Sequence, residues 1–156
     1  MPINFLRKII QEQDNPSDGV WTKRTPSECC ANYIESFYLF FEIKSQTEQW
    51  IFNDGFPSMI VFPEKCNEVS INIDGKENII QSGWFDAGVI KRVYIKYLED
   101  LDYILIVRFK PEYFHTLFNL SPSFFKNQNI AKFTEVDSVS IWSDKIFATN
   151  SIKKKD

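Results

Sequence analysis

The sequence predicts one mainly β domain with helices at its C-terminal end, and three observations support this prediction. Its 156 residues suffice for a single domain with its own core. Short apolar runs are separated by turn residues about every ten positions, which is typical of a sandwich or barrel. After Pro111 the apolar spacing changes to the three and four residues of a helix. Strands followed by helices indicate a β domain with a helical appendage.

The strands are predicted in chain order from alternating apolar residues and from the turns between them. The stretch NYIESFYLFFEI, residues 32–43, is largely apolar on both faces, as expected of a strand that is covered on two sides. Asp54-Gly55 and Asp74-Gly75 are tight-turn signals, because Asp-Gly tolerates positive φ angles. Further strands are predicted over Met59–Phe62, Val69–Ile73, a run ending near Ile80, Val89–Tyr97 and Tyr103–Phe109.

Four segments follow from this pattern. Residues 1–25 form a predicted N-terminal arm, since QEQDNPSDG is polar and contains Pro16 and Gly19. Residues 26–110 form the predicted barrel. Residues 111–150 form a C-terminal helical segment, in which Pro111 suits the first helical position and Ser121-Pro122 begin a second short helix. Residues 151–156, which are rich in lysine, are expected to begin a linker.

Composition excludes several classes of protein. The net charge of −3 provides no general attraction for nucleic-acid backbone. The chain lacks a signal-peptide pattern and an apolar run of the roughly 20 residues that a membrane span needs, so we expect a cytoplasmic protein that does not contact a membrane. Cys29, Cys30 and Cys66 are an odd set and are expected to be reduced thiols.

Catalytic chemistry finds little support in the residues. His115 is the single histidine, too few for a metal centre built from several imidazoles, and it is expected to sit passively on a helix. A thiolate site that combines it with the three cysteines is disfavoured because Cys29 and Cys30 lack the usual two-residue spacer. Neither a Gly-rich phosphate loop nor a Gly-x-Ser-x-Gly elbow occurs. We therefore expect no catalytic residues, metal or cofactor.

A small-molecule site is the remaining functional candidate. Trp50 and Trp84 fall where strands meet loops, and Phe62 and Tyr97 fall on strands, so these four side chains are expected to form aromatic walls of a barrel that is open at one end. The 15 Phe could equally fill the whole interior. Arg108 is a buried ion-pair partner, a surface residue or a ligand for an anion, and the sequence leaves these three open.

Three stretches in order resemble a known family. These are YIESFYLFFE (residues 33–42), the Asp-Gly turn with its following apolar strand (54–62) and VRFKPEYFHTLF (107–118). Their order and spacing resemble the N-terminal sensor and dimerisation domain of AraC-type bacterial transcriptional regulators, over roughly Pro26 to Phe133.

The resemblance implies a cupin-like double-stranded β-barrel, or jelly roll, that senses a small-molecule effector, forms a homodimer, or does both. In that family DNA is bound by two helix-turn-helix units, which this chain lacks, so the expectation is an excised regulatory domain or a stand-alone relative. The alternative is a stand-alone cupin-like small-molecule-binding protein or a metal-independent enzyme.

The predicted helices offer a surface for self-association. Tyr113, Phe114, Leu117 and Phe118 form a helical stripe, and Phe124 and Phe125 follow it. One barrel flank is not expected to cover all six, and exposed apolar patches mark partner sites. Phe114, Phe118, Phe124 and Phe125 are therefore the candidate dimer contacts, against the alternative that all six pack within one monomer.

Overall fold

The fold is seen in a computed structural model that describes residues 21–45, 48–50, 55–64, 67–88, 93–128, 130–136 and 138–139. Three predictions lie outside these residues in whole or in part: the arm over residues 1–20, the end of the helical segment from residue 140, and the linker. Cys66 and the side chain of Trp50 also lie outside them.

The described strands form two antiparallel sheets. The larger sheet contains β1 (Trp21–Arg24), β2 (Ile34–Ile43), β4 (Ser58–Val61), β7 (Gly83–Asp86), β9 (Leu101–Phe109) and β10 (Ile130–Lys132), in the order β1-β2-β9-β4-β7-β10. The smaller sheet contains β3 (Glu48–Trp50), β5 (Glu68–Ile73), β6 (Lys76–Gln81) and β8 (Val93–Tyr97), in the order β3-β8-β5-β6. The predicted mainly β, cupin-like jelly-roll barrel is confirmed.

An interior core fills the space between the two sheets. Strand alternation creates it, because successive side chains of a strand point to opposite faces. On β9, Ile104 and Ile106 face the smaller sheet, whereas Leu105 and Val107 face the other way. The smaller sheet contributes its own alternating apolar side chains to this core: Val69, Ile71, Ile80, Val93, Ile95 and Tyr97.

An outer core covers the opposite face of the larger sheet. Helix α1 (Pro111–Leu117) begins with Pro111 at its first turn and places the fully buried ring of Phe114 against Phe85 and Phe109. A 3-10 helix, Phe133–Glu135, adds the buried Phe133. Strand β2 therefore reads as apolar on both faces because it is covered on both, as the sequence predicted. No helix among the described residues is long and apolar enough to span a membrane.

Two segment boundaries and one helix differ from the sequence prediction. The strand Trp21–Arg24 pairs with β2 although it falls in the predicted arm, and Ile130–Lys132 pairs with β7 although it falls in the predicted helical segment. The prediction of a second short helix that begins at Ser121-Pro122 is wrong. Residues 121–126 form successive turns, in which the Phe124 amide donates to the Ser121 carbonyl at 3.0 Å and the Lys126 amide to that of Ser123 at 2.9 Å. Packing of Phe124 and Phe125 onto the outer core outweighs the local helix signal.

Candidate functional site

A row of buried polar side chains crosses the interior face of the larger sheet. The strand register places Ser36 opposite Arg108, Arg108 opposite Ser58, and Ser58 opposite Asp86. Directly opposed residues of antiparallel strands share a face, and Arg108 alternates with Ile104 and Ile106, which face the interior. We call these four residues the polar row. All are buried, with Arg108 only 4% exposed.

An irregularity in β2 brings a carboxylate to this row. The register between β2 and β9 shifts between Ile34 and Ser36, which leaves Glu35 as the extra residue of a β-bulge. The Oε2 atom of Glu35 lies 3.6 Å from Nη1 of Arg108, and the Ser36 hydroxyl donates a hydrogen bond to the same carboxylate. Bulges commonly re-aim a side chain next to a binding site, and this one aims Glu35 at the buried guanidinium.

The guanidinium of Arg108 is held by aromatic rings as well as by charge. Its Nη1 donates a hydrogen bond of 3.2 Å to the hydroxyl of Tyr38. Its Cζ lies 4.4 Å from the ring centroid of Phe56 and 5.7 Å from that of Tyr38. Arginine suits such a position because it is weakly hydrated and stacks on aromatic faces. The charge is therefore fixed in orientation where little water reaches it.

Positive and negative side chains balance around the row. The Nζ atom of Lys23 lies 3.4 Å from Oε1 of Glu35 and 5.5 Å from the ring centroid of Tyr38. Burial alone would lower the pKa of Lys23, but the charge interactions and hydrogen bonds with Tyr38 and Glu35 raise that pKa overall. Asp86 accepts a 2.9 Å hydrogen bond from the Gly88 amide. Among the described side chains around the row, the two cations Lys23 and Arg108 balance the two carboxylates Glu35 and Asp86.

A buried donor lies next to the row. Trp84 is two residues before Asp86 on the same face of β7 and is 2% exposed. Its indole Nε1 has no hydrogen-bond partner among the described residues. Buried polar groups nearly always have one, so the indole N–H is a donor that an acceptor on a ligand or a water molecule would satisfy.

The predicted aromatic walls gather in the interior core. Phe62, Trp84 and Tyr97 are all nearly inaccessible, and the Phe62 and Trp84 rings meet edge to face at 5.7 Å. Burial also raises the pKa of Tyr97 well above its usual range. These rings belong to the interior core between the sheets, whereas Arg108 lies in the polar row near the end of β9. Of the three interpretations of Arg108, the surface position is excluded.

Sequence reasoning missed most of the polar row. It singled out Arg108 alone and did not identify Ser36, Ser58, Asp86 or the nearby Glu35. One signal was present, because Glu35-Ser36 is a polar pair inside an otherwise aromatic strand, which is typical of a bulge. The alignment of all four residues depends on pairing between strands that are distant in sequence.

The candidate dimer contacts lie on the outer core. Phe114 is fully buried there, and Phe118, Phe124 and Phe125 are half-buried against it. The exposed apolar side chains of this flank are instead Tyr33, Tyr113 and Leu117, each more than 40% exposed, and the first two rings meet at 5.5 Å. We call these three residues the helix patch.

The residues described do not fit a metal centre. His115 lies in the outer layer on α1, between the rings of Phe114 and Phe125 and outside the barrel interior. Across the described ranges, no group of three or more His, Cys, Asp or Glu side chains is placed to hold an ion.

Comparison with known proteins gives a family and distant structural likenesses. A family model described as "Domain of unknown function (DUF6597)" matches residues 22–131. The search of curated proteins gives no match. The structure of ectoine synthase from P. lautus is 18% identical, with a TM-score of 0.37, and the match covers 75% of this chain and 86% of that one.

Two further solved structures are similar at this distance. Salicylate 1,2-dioxygenase from Pseudoaminobacter salicylatoxidans is 10% identical, with a TM-score of 0.38 over 72% of this chain and 32% of that one. Oxalate decarboxylase from Bacillus subtilis is 12% identical, with a TM-score of 0.38 over 72% and 37%. Likenesses this distant say nothing of activity in this chain.

Proposed function

The chain belongs to the DUF6597 family, and from this premise we propose that it is the non-catalytic, small-molecule-sensing domain of an AraC-type transcription factor. The three motifs of the sequence support the regulator, and the cupin-like barrel is the fold that they imply. The polar row carries the proposal, because a buried, aromatic-flanked arginine at the end of an apolar core has the composition of a small-ligand site: mostly apolar, with a few fixed polar groups.

The charge balance of the site selects the chemistry of the effector. A carboxylate ligand would add a third negative charge beside Glu35 and Asp86 at low dielectric, which costs free energy unless a further cation compensates. A neutral ligand avoids this cost. Its hydroxyl, carbonyl or amide groups exchange hydrogen bonds with the polar row and accept one from Trp84 Nε1, while its apolar body contacts Phe56 and Tyr38. We expect a small, neutral, hydrogen-bonding effector.

Matched probes test this site. Benzamide and benzoate share a shape and differ in charge, so titration of each into the protein, with thermal shift and calorimetry as readouts, compares the two chemistries directly. We expect benzamide to bind more tightly. Ser58→Val should weaken its binding, and Ser123→Val, on an exposed turn, should not. Binding of benzoate in preference to benzamide, or equal binding to both variants, would contradict the proposed site.

The regulatory part of the proposal is tested separately. The domain is fused to a heterologous DNA-binding domain that represses a reporter only as a dimer. Repression by the fusion is expected if this domain dimerises, as two-fold regulators require. The helix patch is the candidate contact, so Leu117→Glu should relieve repression. A fusion that never represses, together with a monomer in light scattering, would remove the dimerisation role.

A metal-independent enzyme is the second candidate. It is favoured by the carboxylate of Glu35 beside Arg108, a pairing that could serve acid–base chemistry. The Glu35→Gln variant separates the two proposals. In an enzyme it abolishes turnover of a bound compound, whereas in a sensor no turnover exists to lose.

A further inference from the structure

Two adjacent cysteines form a paired sulfur site on the turn before β2. Cys29 is exposed and Cys30 half-buried, and their Sγ atoms lie 3.7 Å apart. The Ser27 hydroxyl lies 3.1 Å from Sγ of Cys29. The turn is held by its backbone, because the amides of Cys30 and Ala31 both donate to the Ser27 carbonyl at 2.9 Å. Both sulfurs thus lie together on an ordered, accessible turn.

This spacing suits a bridging atom better than a disulfide. Adjacent Cα atoms are about 3.8 Å apart, below the roughly 4.4–6.8 Å of ordinary disulfides, so a bond between neighbouring cysteines is strained. Two sulfurs bound at about 2.3 Å to one centre lie about 3.3–3.8 Å apart, the shorter distance for the roughly right angle of a pyramidal centre and the longer for a tetrahedral one. The 3.7 Å separation of the Sγ atoms lies within this range, so two thiolates here can share one soft centre with little movement.

The turn also favours the reactive form of the thiol. The hydrogen bond from Ser27, followed by that from Cys30, lowers the pKa of Cys29. The thiolate is the nucleophile and the ligand in cysteine chemistry. Cys29 is thus suited to attack first, with Cys30 closing the ring.

We propose that Cys29 and Cys30 form a binding site for soft trivalent electrophiles, with arsenic(III) compounds as the chemical class. In the reaction of R–As=O with the two thiols, two As–S bonds form, the two S–H bonds and the As=O bond break, and one water leaves. Arsenic remains trivalent, so the step needs no oxidant or reductant. Two sulfurs complete the site, and no third protein ligand is required.

Phenylarsine oxide is the probe. The full chain is reacted with one equivalent, challenged with an excess of 2-mercaptoethanol, and weighed by intact mass spectrometry. Wild-type protein and the Cys66→Ser control should each retain one phenylarsenic group, because a chelate resists a monothiol. Cys29→Ser and Cys30→Ser should retain at least tenfold less. Treatment with 2,3-dimercaptopropanol should strip the adduct from all.

Two results would overturn the proposal. Retention by Cys29→Ser or Cys30→Ser equal to that of wild type would show that the pair does not chelate. Loss of the adduct from wild type under 2-mercaptoethanol, as fast as from Cys29→Ser, would show monodentate attachment. The melting temperature of each variant, which should match wild type within about 2 °C because the turn is exposed, verifies that the folded chain is compared.

Discussion

Removing the charge of Arg108 tests whether the polar row is one coupled network. In Arg108→Met the side chain keeps a similar length and its apolar contacts but loses the guanidinium. Tyr38 then loses its 3.2 Å hydrogen bond, Phe56 loses the cation above its ring, and Glu35 loses one of its two cationic neighbours. Each loss destabilises the folded state, because a buried polar partner is left without its counterpart.

The magnitude follows from these contacts. A hydrogen bond from a charged donor contributes about 1.5–3 kcal/mol, and a desolvated cation–π contact about 1–2 kcal/mol. Glu35 is 27% exposed and keeps Lys23 at 3.4 Å, so its loss of Arg108 costs less than the full penalty of a buried unpaired charge. We expect Arg108→Met to lose about 3 kcal/mol, which lowers the melting temperature by about 6–12 °C.

Chemical denaturation of a double-mutant cycle measures the coupling. Arg108→Met, Glu35→Gln and the double variant are compared with wild type, and exposed Arg24→Met serves as the control with an expected change under about 0.5 kcal/mol. The loss of unfolding free energy in the double variant should be about 1–2 kcal/mol smaller than the sum of the losses in the single variants. The reason is that each single variant leaves the other side chain charged without its partner, whereas the double variant removes both charges. Additivity within about 0.5 kcal/mol would refute a coupled network and leave Arg108 as an independently packed side chain.

Three further predictions concern the glycines, alkaline pH and self-association. In urea denaturation, Gly83→Ala should lower the free energy of unfolding by more than about 4 kcal/mol or prevent folding, because the φ of Gly83 is +140° and an added Cβ would lie 2.0 Å from a backbone oxygen of β4. Gly55→Ala is the control: its φ is +89° but the space around it is open, so the loss should be only about 1 kcal/mol. Burial raises the pKa of Tyr97 in the folded protein, so its contribution to stability is present below about pH 10 and is lost as the pH rises through the raised pKa. The Tyr97→Phe variant should therefore show a smaller decline of the melting temperature at alkaline pH than wild type. Phe125→Glu should destabilise the monomer, because its ring packs on the outer core, whereas Leu117→Glu should leave the melting temperature within about 2 °C while dissociating any dimer seen by light scattering.

The strands could be predicted because their signals are local. Alternation predicts a strand over Val89–Tyr97, within which the structure describes β8 over Val93–Tyr97, and Pro111 begins α1 where the apolar period changes. The strand β10 could not be predicted, since three residues, Ile130–Lys132, carry too little pattern and are held by pairing with β7. Local signal also failed at Ser121-Pro122, where an N-cap pattern is followed by turns.

The candidate site likewise contains residues that could be predicted from the sequence and residues that could not. Phe62 and Tyr97 were predicted to face inward from their strands and Trp84 from its place where a strand meets a loop, and all three lie in one cluster between the sheets. The polar row arises from register across four strands, β2, β9, β4 and β7, whose residues lie as far as 72 positions apart, from Ser36 to Arg108. No periodicity within one strand contains that information.

Strand β9 joins the polar row directly to the helical layer. Arg108 faces the interior, while its neighbours Val107 and Phe109 pack in the outer core beneath α1.

Two backbone hydrogen bonds hold the end of β9. The Phe109 amide donates to the Pro57 carbonyl at 2.9 Å, and the Lys110 amide donates to the Tyr33 carbonyl at 2.8 Å. Tyr33 belongs to the helix patch, and Pro57 lies between Phe56 and Ser58 of the proposed ligand site. A ligand that shifts the backbone of β9 at Arg108 would therefore also shift Val107 and Phe109, which pack beneath α1, because the two faces share one packed strand. In the proposed sensor, this shared strand is the physical connection between effector binding and the surface available for dimerisation.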